Sequence, residues 1–356
     1  MNLHHRAEVL ARKGQRLIRK QFWTVGVNDI WTMDQHDKWR RFQLFLHIGI
    51  ELHSGLILWL KLWWTNRNPR LVCSWYLDTV EALGYVMPLL TQSDPGTENN
   101  GIANAQTELR HQQDPALSDL LQHKFKGNKG NIKPEIAWRR LRYTFTPGFE
   151  DLIERGILEG LYDPDDSLER LVFHYIFIPW IQEELDKYVD LTNDTKPCYN
   201  RHKVLPHGRP IEIFQNPSQY DTCDFSVKVD KAHLDEVRNK YAPPEHPVFH
   251  LVPPAFAEKA RQFYGEAGHP VVTRENDDDI RTAVNDRAAM PSVGEDPTGE
   301  EWMDLLPLKP FRHRNCLVGD TRLGVRDSDS SAEEEPDYDF NIWSDKDSSS
   351  GSSTDA

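Results

Sequence analysis

Leu44, Leu46, Ile48 and Ile50 alternate with their neighbours, and Leu56, Leu58, Leu60 and Leu62 do so again after Ser54-Gly55. A period of two places each set on one side of an extended strand, so the stretch predicts a hairpin with one buried face. A further extended stretch, Asp29 to Met33, precedes it and ends at Asp34. Pro69 suits the first turn of a helix whose apolar stripe is Leu71, Trp75, Val80 and Leu83, closed by Gly84. Val86 to Gln92 is a short apolar run fit for a buried strand that delivers Ser93-Asp94, and Thr97 to Gln113 predicts a helix. A glycine- and lysine-rich loop, Lys124 to Gly130, precedes another helix with Pro134 in its first turn and Ile136 and Leu141 along it. Helical spacing continues from Thr146 to about Leu191 through Phe149, Leu152, Ile153, Ile157, Leu168, Leu171, Val172, Tyr175 and Ile176. The order β-β-β-α-β-α-α predicts an α/β fold: a mixed sheet whose first three strands are antiparallel neighbours and whose fourth is reached by a helical crossover.

Charge changes this picture by region. The chain carries a net charge of −14. Residues 1–150 hold 20 Lys and Arg against 14 Asp and Glu, a net +6, and the rest hold 22 against 42, a net −20. Nucleic-acid binding depends on local charge rather than the whole-chain sum, so the acidic total does not exclude it. Residues 1–21 predict a basic helical lead-in, either solvated or in contact with DNA. Residues 192–326 are rich in proline and predict short elements joined by loops; the role of 216–326 is not legible. Residues 327–356 are dominated by Ser, Asp and Glu and bury too little apolar surface to offset chain entropy, so a disordered acidic tail is expected. That tail suits binding to basic proteins, with Ser328, Ser330 and Ser331 as candidate phosphorylation sites.

Several function classes recede. The apolar stretch Leu44 to Trp64 contains His47, Glu51, His53 and Lys61, which a lipid-exposed span disfavours, and the basic first twenty residues lack the apolar run of a signal peptide. No membrane association is expected. Cys73, Cys198, Cys223 and Cys316 are too scattered for a disulfide framework. Cys198, His202, His207 and Cys223 match no standard zinc spacing, and packing or surface roles are the expectation. Trp59, Trp63 and Trp64 are read as packing rather than as base-stacking platforms.

Three acids stand where metal-assisted phosphodiester chemistry would need them. Two divalent ions about 4 Å apart can activate a hydroxyl and stabilise the leaving oxygen. Hard cations of this kind take oxygen ligands, so a few carboxylates plus substrate phosphates suffice. Asp34 ends the first strand, Asp94 follows the buried strand, and Glu135 opens the helix after the lysine-rich loop. Spacing alone leaves the alternative open, since strand-end aspartates commonly serve turns and caps.

The flanking residues carry a resemblance. Gly26-Val27-Asn28-Asp29-Ile30-Trp31-Thr32-Met33-Asp34, Ser93-Asp94-Pro95-Gly96-Thr97-Glu98-Asn99 and Asn131-Ile132-Lys133-Pro134-Glu135-Ile136-Ala137-Trp138 resemble, in the same order, blocks of the integrase core family abundant in fungal genomes. That family is related to retrotransposon integrases and other Asp-Asp-Glu transposases. Gly156-Ile157-Leu158, Leu161 to Pro164 and Phe173 to Pro179 resemble its C-terminal extension, so the likeness covers about residues 22–215. It implies a ribonuclease H-like core over 22–150, a helical extension over 151–215, and DNA strand cleavage and transfer in the nucleus, with DNA and further copies of the chain as partners. It implies Asp34, Asp94 and Glu135 as catalytic residues holding two Mg²⁺ or Mn²⁺ ions, with apo-state carboxyl pKa values raised by mutual repulsion. Gly96, Asn99 and Asn131 are implied to shape the turn and position the acids. Read from the residues themselves, Lys124, Lys126, Lys129 and Lys133, with Arg139, Arg140 and Arg142, form either a phosphate-facing cluster or a merely solvated face. Two departures bear on activity: Gln35-His36-Asp37 replaces Gly-aromatic-His, and Ile132-Lys133-Pro134 replaces Gln-Arg-Ile, losing polar groups near Glu135. A catalytically inactive DNA- or protein-binding relative and a ribonuclease H-like nuclease are the competing readings.

Overall fold

The computed structural model describes residues 23–127, 130–199 and 203–266. All lie in the first of the chain's two units, Met1–Arg314. The basic lead-in, Lys129, His202, Cys316 and the acidic tail lie outside the described residues.

Five strands form one mixed sheet: β1 (Ile30–His36), β2 (Phe45–Glu51), β3 (Ile57–Trp63), β5 (Leu90–Ser93) and β6 (His123–Phe125), in the order β3-β2-β1-β5-β6. The first three are antiparallel, whereas β5 and β6 run parallel to β1. A two-residue strand, β4 (Val86–Met87), pairs separately with β7 (Val227–Lys228). Helices α1 (Pro69–Ala82) and α2 (Asn100–Gln113) supply the crossovers, followed by α3 (Ile132–Thr144), α4 (Thr146–Leu158) and α5 (Ser167–Asp194). Short α6 (Pro210–Gln215), α7 (Lys231–Tyr241) and α8 (Pro254–Glu266) complete the described chain.

The alternation along β1 sorts the two cores. Trp31 and Met33 join Trp59, α1, α2 and α7 in one apolar cluster. Leu46, Ile48, Ile50, Leu60 and Leu62 join α3, α4 and α5 in the other. Thr32 and Asp34 pair across from Ile50 and Ile48, so they look toward the second layer, the side covered by α3. Helices therefore flank both faces, as the sequence order predicts. The expected one-faced hairpin is corrected: all seven residues of β2 are buried. A register shift between Gly49 and Ile50 breaks the parity of β3, so Ile57 joins Leu60 and Leu62 while Leu58 turns to the opposite cluster.

Three more findings go beyond the sequence reading. Pro88 separates β4 from β5, dividing the expected single strand. His123–Phe125 forms the fifth strand, taking Lys124 out of the expected loop. The region after residue 216, unassigned from sequence, supplies core: Leu234, Val237 and Tyr241 of α7 pack with α1 and α2 residues. It also explains Gly26, where a Cβ would stand 2.4 Å from the Cys223 carbonyl oxygen. Val27 exchanges backbone hydrogen bonds with Cys223 and Phe225 there, and the Asn28 amide donates to Asp224 at 2.9 Å.

Candidate active site

Strand register brings two of the three acids side by side. Ile30, Trp31 and Thr32 pair with Leu90, Thr91 and Gln92 in parallel. Continuing that register by two residues sets Asp94 across from Asp34, on strands separated by about 4.8 Å. Asp34 is half-buried and Asp94, just past the end of β5, is exposed.

Helix α3 is fastened over the same face by Asn131, immediately before its first residue. The Asn131 Oδ1 accepts from the Thr32 hydroxyl and from Gln92 Nε2 at 3.3 Å, and its Nδ2 donates to the Met33 carbonyl at 2.8 Å. One buried amide thus ties the start of α3 to both strands that carry the aspartates. Glu135 follows in the first turn, exposed, where the helix dipole favours an anion. One turn later Trp138 Nε1 donates to Asp34 Oδ2 at 2.9 Å, and the Trp138 ring is stacked on His36 at 4.7 Å. His36, a departure from the family pattern, therefore buttresses the indole that orients Asp34.

The acids sense one another. The Asp34 carboxyl is pushed up to about 7, first by burial, with Asp94 and Glu135 adding repulsion and the Trp138 bond opposing it. The direction is the one expected, but burial rather than mutual repulsion is its main cause. Burial also raises Asp94. Carboxylate oxygens at such a place are the donors a hard divalent cation takes, so the residue types fit a divalent metal. The three side chains are nevertheless not gathered as a closed ligand set: among the described residues no group of three or more His, Cys, Asp or Glu is placed to hold an ion.

The turn after Asp94 is shaped by space rather than by a left-handed dihedral. Gly96 is extended (φ −92°, ψ 147°), and a Cβ there would meet the buried Glu98 carboxylate at 1.7 Å. Asn99 Nδ2 donates to Glu98 at 3.0 Å and to the Asp94 carbonyl at 3.2 Å. Asp37, the other acid introduced by the departure after Asp34, accepts from Asn66 at 2.8 Å and pairs with Arg67 at 3.6 Å.

The basic residues divide. Lys124 pairs with Gln92, so alternation places it on the α3 side of the sheet, and continuation places Lys126 there beside Asp94. Both are exposed, as are Arg140 and Arg142; Arg139 is half-buried with its guanidinium 5.9 Å from the Tyr143 ring. Lys133 is set differently. Its ammonium points under the hairpin, 3.8 Å from where a Gly55 Cβ would stand. There burial and Lys203 lower its pKa to about 8, and Glu51 opposes the shift. Glu51 itself is fully buried and accepts from the Asn28, His53 and Ser54 amides at 3.2, 2.9 and 2.7 Å, stapling the hairpin turn. Lys133 therefore senses this structural acid from a more enclosed place than the other basic residues.

Elsewhere, Cys198 and Cys223 are exposed free thiols and His207 bonds the Pro197 carbonyl. Trp59 donates from its indole edge to His47 Nδ1 at 3.0 Å, while Trp63 and Trp64 donate to the carbonyls of Val248 and His250. Trp59 is buried, and Trp63 and Trp64 are half-buried against the apolar clusters, so all three take part in packing.

Sheet order and crossover pattern converge with one comparison: a family model described as integrase core domain matches residues 22–217. The chain belongs to the integrase core domain family. A search of the curated proteins finds no match. The mixed five-stranded sheet with flanking helices is the ribonuclease H-like arrangement of an integrase core, and the matched span ends within the loop after α6. Trp138, His36, Thr32 and Gln92 are the site residues that sequence reasoning left without a role. Only the fold shows that Asn131 reaches Thr32.

Proposed function

We propose that this integrase core protein cleaves and joins DNA strands, using Mg²⁺ or Mn²⁺ held by Asp34 and Asp94 with Glu135 completing the set. The observation that carries this reading is the parallel pairing of Thr32 with Gln92, each two residues before an aspartate, Asp34 or Asp94, together with a helix whose first turn presents Glu135. When bound, the ions would activate the attacking hydroxyl and stabilise the leaving oxygen. The chain's own residues do the positioning: Trp138 holds one oxygen of Asp34, and Asn131 fixes where Glu135 projects. Lys124 and Lys126, with Arg139, Arg140 and Arg142 of α3, would meet the DNA backbone, which is bound by charge. Lys129, outside the described residues, is proposed to join them. Action in the nucleus, assembly with further copies of the chain, and capture of basic proteins by residues 327–356 belong to the same proposal.

A second reading has its own support. The absence of a gathered three-acid ligand set among the described residues favours an inactive relative that binds DNA without turning it over. One assay separates the two. Purified protein is incubated with labelled oligonucleotide duplexes and Mn²⁺ or Mg²⁺. Joined or nicked products that vanish in Asp94→Asn support the enzyme. Salt-sensitive binding without products supports the inactive relative. Cleavage of RNA–DNA hybrid alone points to a ribonuclease H-type nuclease instead.

A further inference from the structure

The back of the sheet, opposite the acids, holds a buried polar chain with no counterpart in the reading above. His123 on β6 is buried, and its ring lies between two buried hydroxyls of β5: Thr91 Oγ1 is 2.8 Å from Nδ1 and Ser93 Oγ is 3.0 Å from Nε2. Register accounts for the meeting, since His123 pairs with Thr91 and Phe125 with Ser93. Ser93 Oγ in turn donates to the Asp94 carbonyl at 2.8 Å.

Proton accounting then fixes every member. A serine hydroxyl has one hydrogen, and here it goes to Asp94, so Ser93 must accept from His123 Nε2–H. A neutral ring carrying its proton on Nε2 leaves Nδ1 as an acceptor, which takes the Thr91 hydroxyl. The chain runs in one direction: Thr91 to His123, His123 to Ser93, Ser93 to Asp94. Its end is an unusually well-held carbonyl, which also accepts from the Gly96 amide at 2.8 Å and from Asn99 at 3.2 Å. Three donors on one carbonyl oxygen set the backbone of Asp94, and through it the direction in which the carboxylate leaves the strand.

We infer that His123, as the Nε2–H tautomer, is the positioning residue for Asp94, acting through Ser93 from the face of the sheet opposite the site. The geometry of this relay stands independently, whereas its catalytic meaning rests on Asp94 having the role proposed above. Two measurements test it on the full chain. Nitrogen NMR of histidine-labelled protein should show a slowly exchanging ring protonated at Nε2 alone, absent from His123→Gln. Ser93→Ala, which removes a single oxygen and so keeps the fold, should speed hydrogen exchange at the Gly96 amide about tenfold, the worth of one buried hydrogen bond. His123→Leu should do the same, and His123→Gln, whose amide can still donate to Ser93, should restore exchange to within about threefold.

An Nδ1–H ring, or unchanged Gly96 exchange in Ser93→Ala, overturns the relay. If Asp94→Asn abolishes strand joining while Ser93→Ala and His123→Leu leave its rate intact, the relay again fails and the proposed function survives. If joining is absent or indifferent to Asp94→Asn, the proposed function fails, and the tautomer and exchange results still decide the relay.

Discussion

Asn131 is the joint between the acid-bearing strands and the helix that presents Glu135, so Asn131→Ala should loosen the site in a defined way. The amide is 2% exposed and makes three hydrogen bonds, to Thr32, Gln92 and the Met33 carbonyl. Truncation leaves a buried hydroxyl and a buried amide without their acceptor, and a carbonyl without one of its donors. Each such group costs about 1–3 kcal/mol when left unmet. The three belong to one network, so the costs do not simply add, and a total of about 3–4 kcal/mol is expected. That is below the roughly 5–15 kcal/mol stability of a typical folded domain, so the variant should fold and be measurable. Urea unfolding followed by circular dichroism gives the difference directly, and hydrogen exchange locates it. Protection should fall in the first turn of α3 and remain in α5, which packs on β3 away from the joint. A loss under about 1 kcal/mol, or exchange that rises equally in both helices, would refute the idea that one side chain fastens α3 to the sheet.

Other outcomes follow from the same structure. Trp138→Phe keeps a ring against His36 but removes the donor to Asp34, so strand joining should drop about tenfold with little change in melting temperature; an unchanged rate would detach Trp138 from the site. Arg140→Ala or Lys124→Ala should weaken DNA binding and reduce the dependence of log affinity on log salt by about one unit each, whereas Lys133→Gln should leave that slope alone, all read by fluorescence anisotropy across a salt series. His47 is buried and accepts from Trp59 Nε1 at 3.0 Å, with burial lowering its pKa to about 3. Its folded value lies below the ordinary 6.5 or so, so the unfolded chain takes up the proton first; its stabilisation is complete above about pH 6.5 and declines as pH falls toward 3. By pH 5 the decline is about 2 kcal/mol. His47→Gln should lose correspondingly less stability between pH 7 and pH 5 in urea titrations, and identical losses in the two proteins would contradict this assignment.

The amino-acid order by itself determined the α/β alternation, the antiparallel hairpin after Asp34, the helix opened by Pro69, and the neighbourhoods of Asp34, Asp94 and Glu135. Those signals are local: a period of two or of 3.6, a proline at a first turn, a motif of a few residues. What required the tertiary structure was everything set by register and by partners distant in the chain. The strand at His123–Phe125 is three residues long and carries too little pattern to announce itself, yet it joins the sheet because β5 offers a parallel edge. Lys133 stood in a basic run, and only the fold shows that its ammonium lies beside Gly55 at the hairpin turn, where burial lowers its pKa to about 8. Leu234, Val237 and Tyr241 had helical spacing, but only the fold shows that α7 seals α1 and α2. Side-chain alternation assigns a residue to a face without saying what covers that face. Long-range packing makes that choice, and here it set Asp34 beneath Trp138 on one side of the sheet and His123 behind Asp94 on the other.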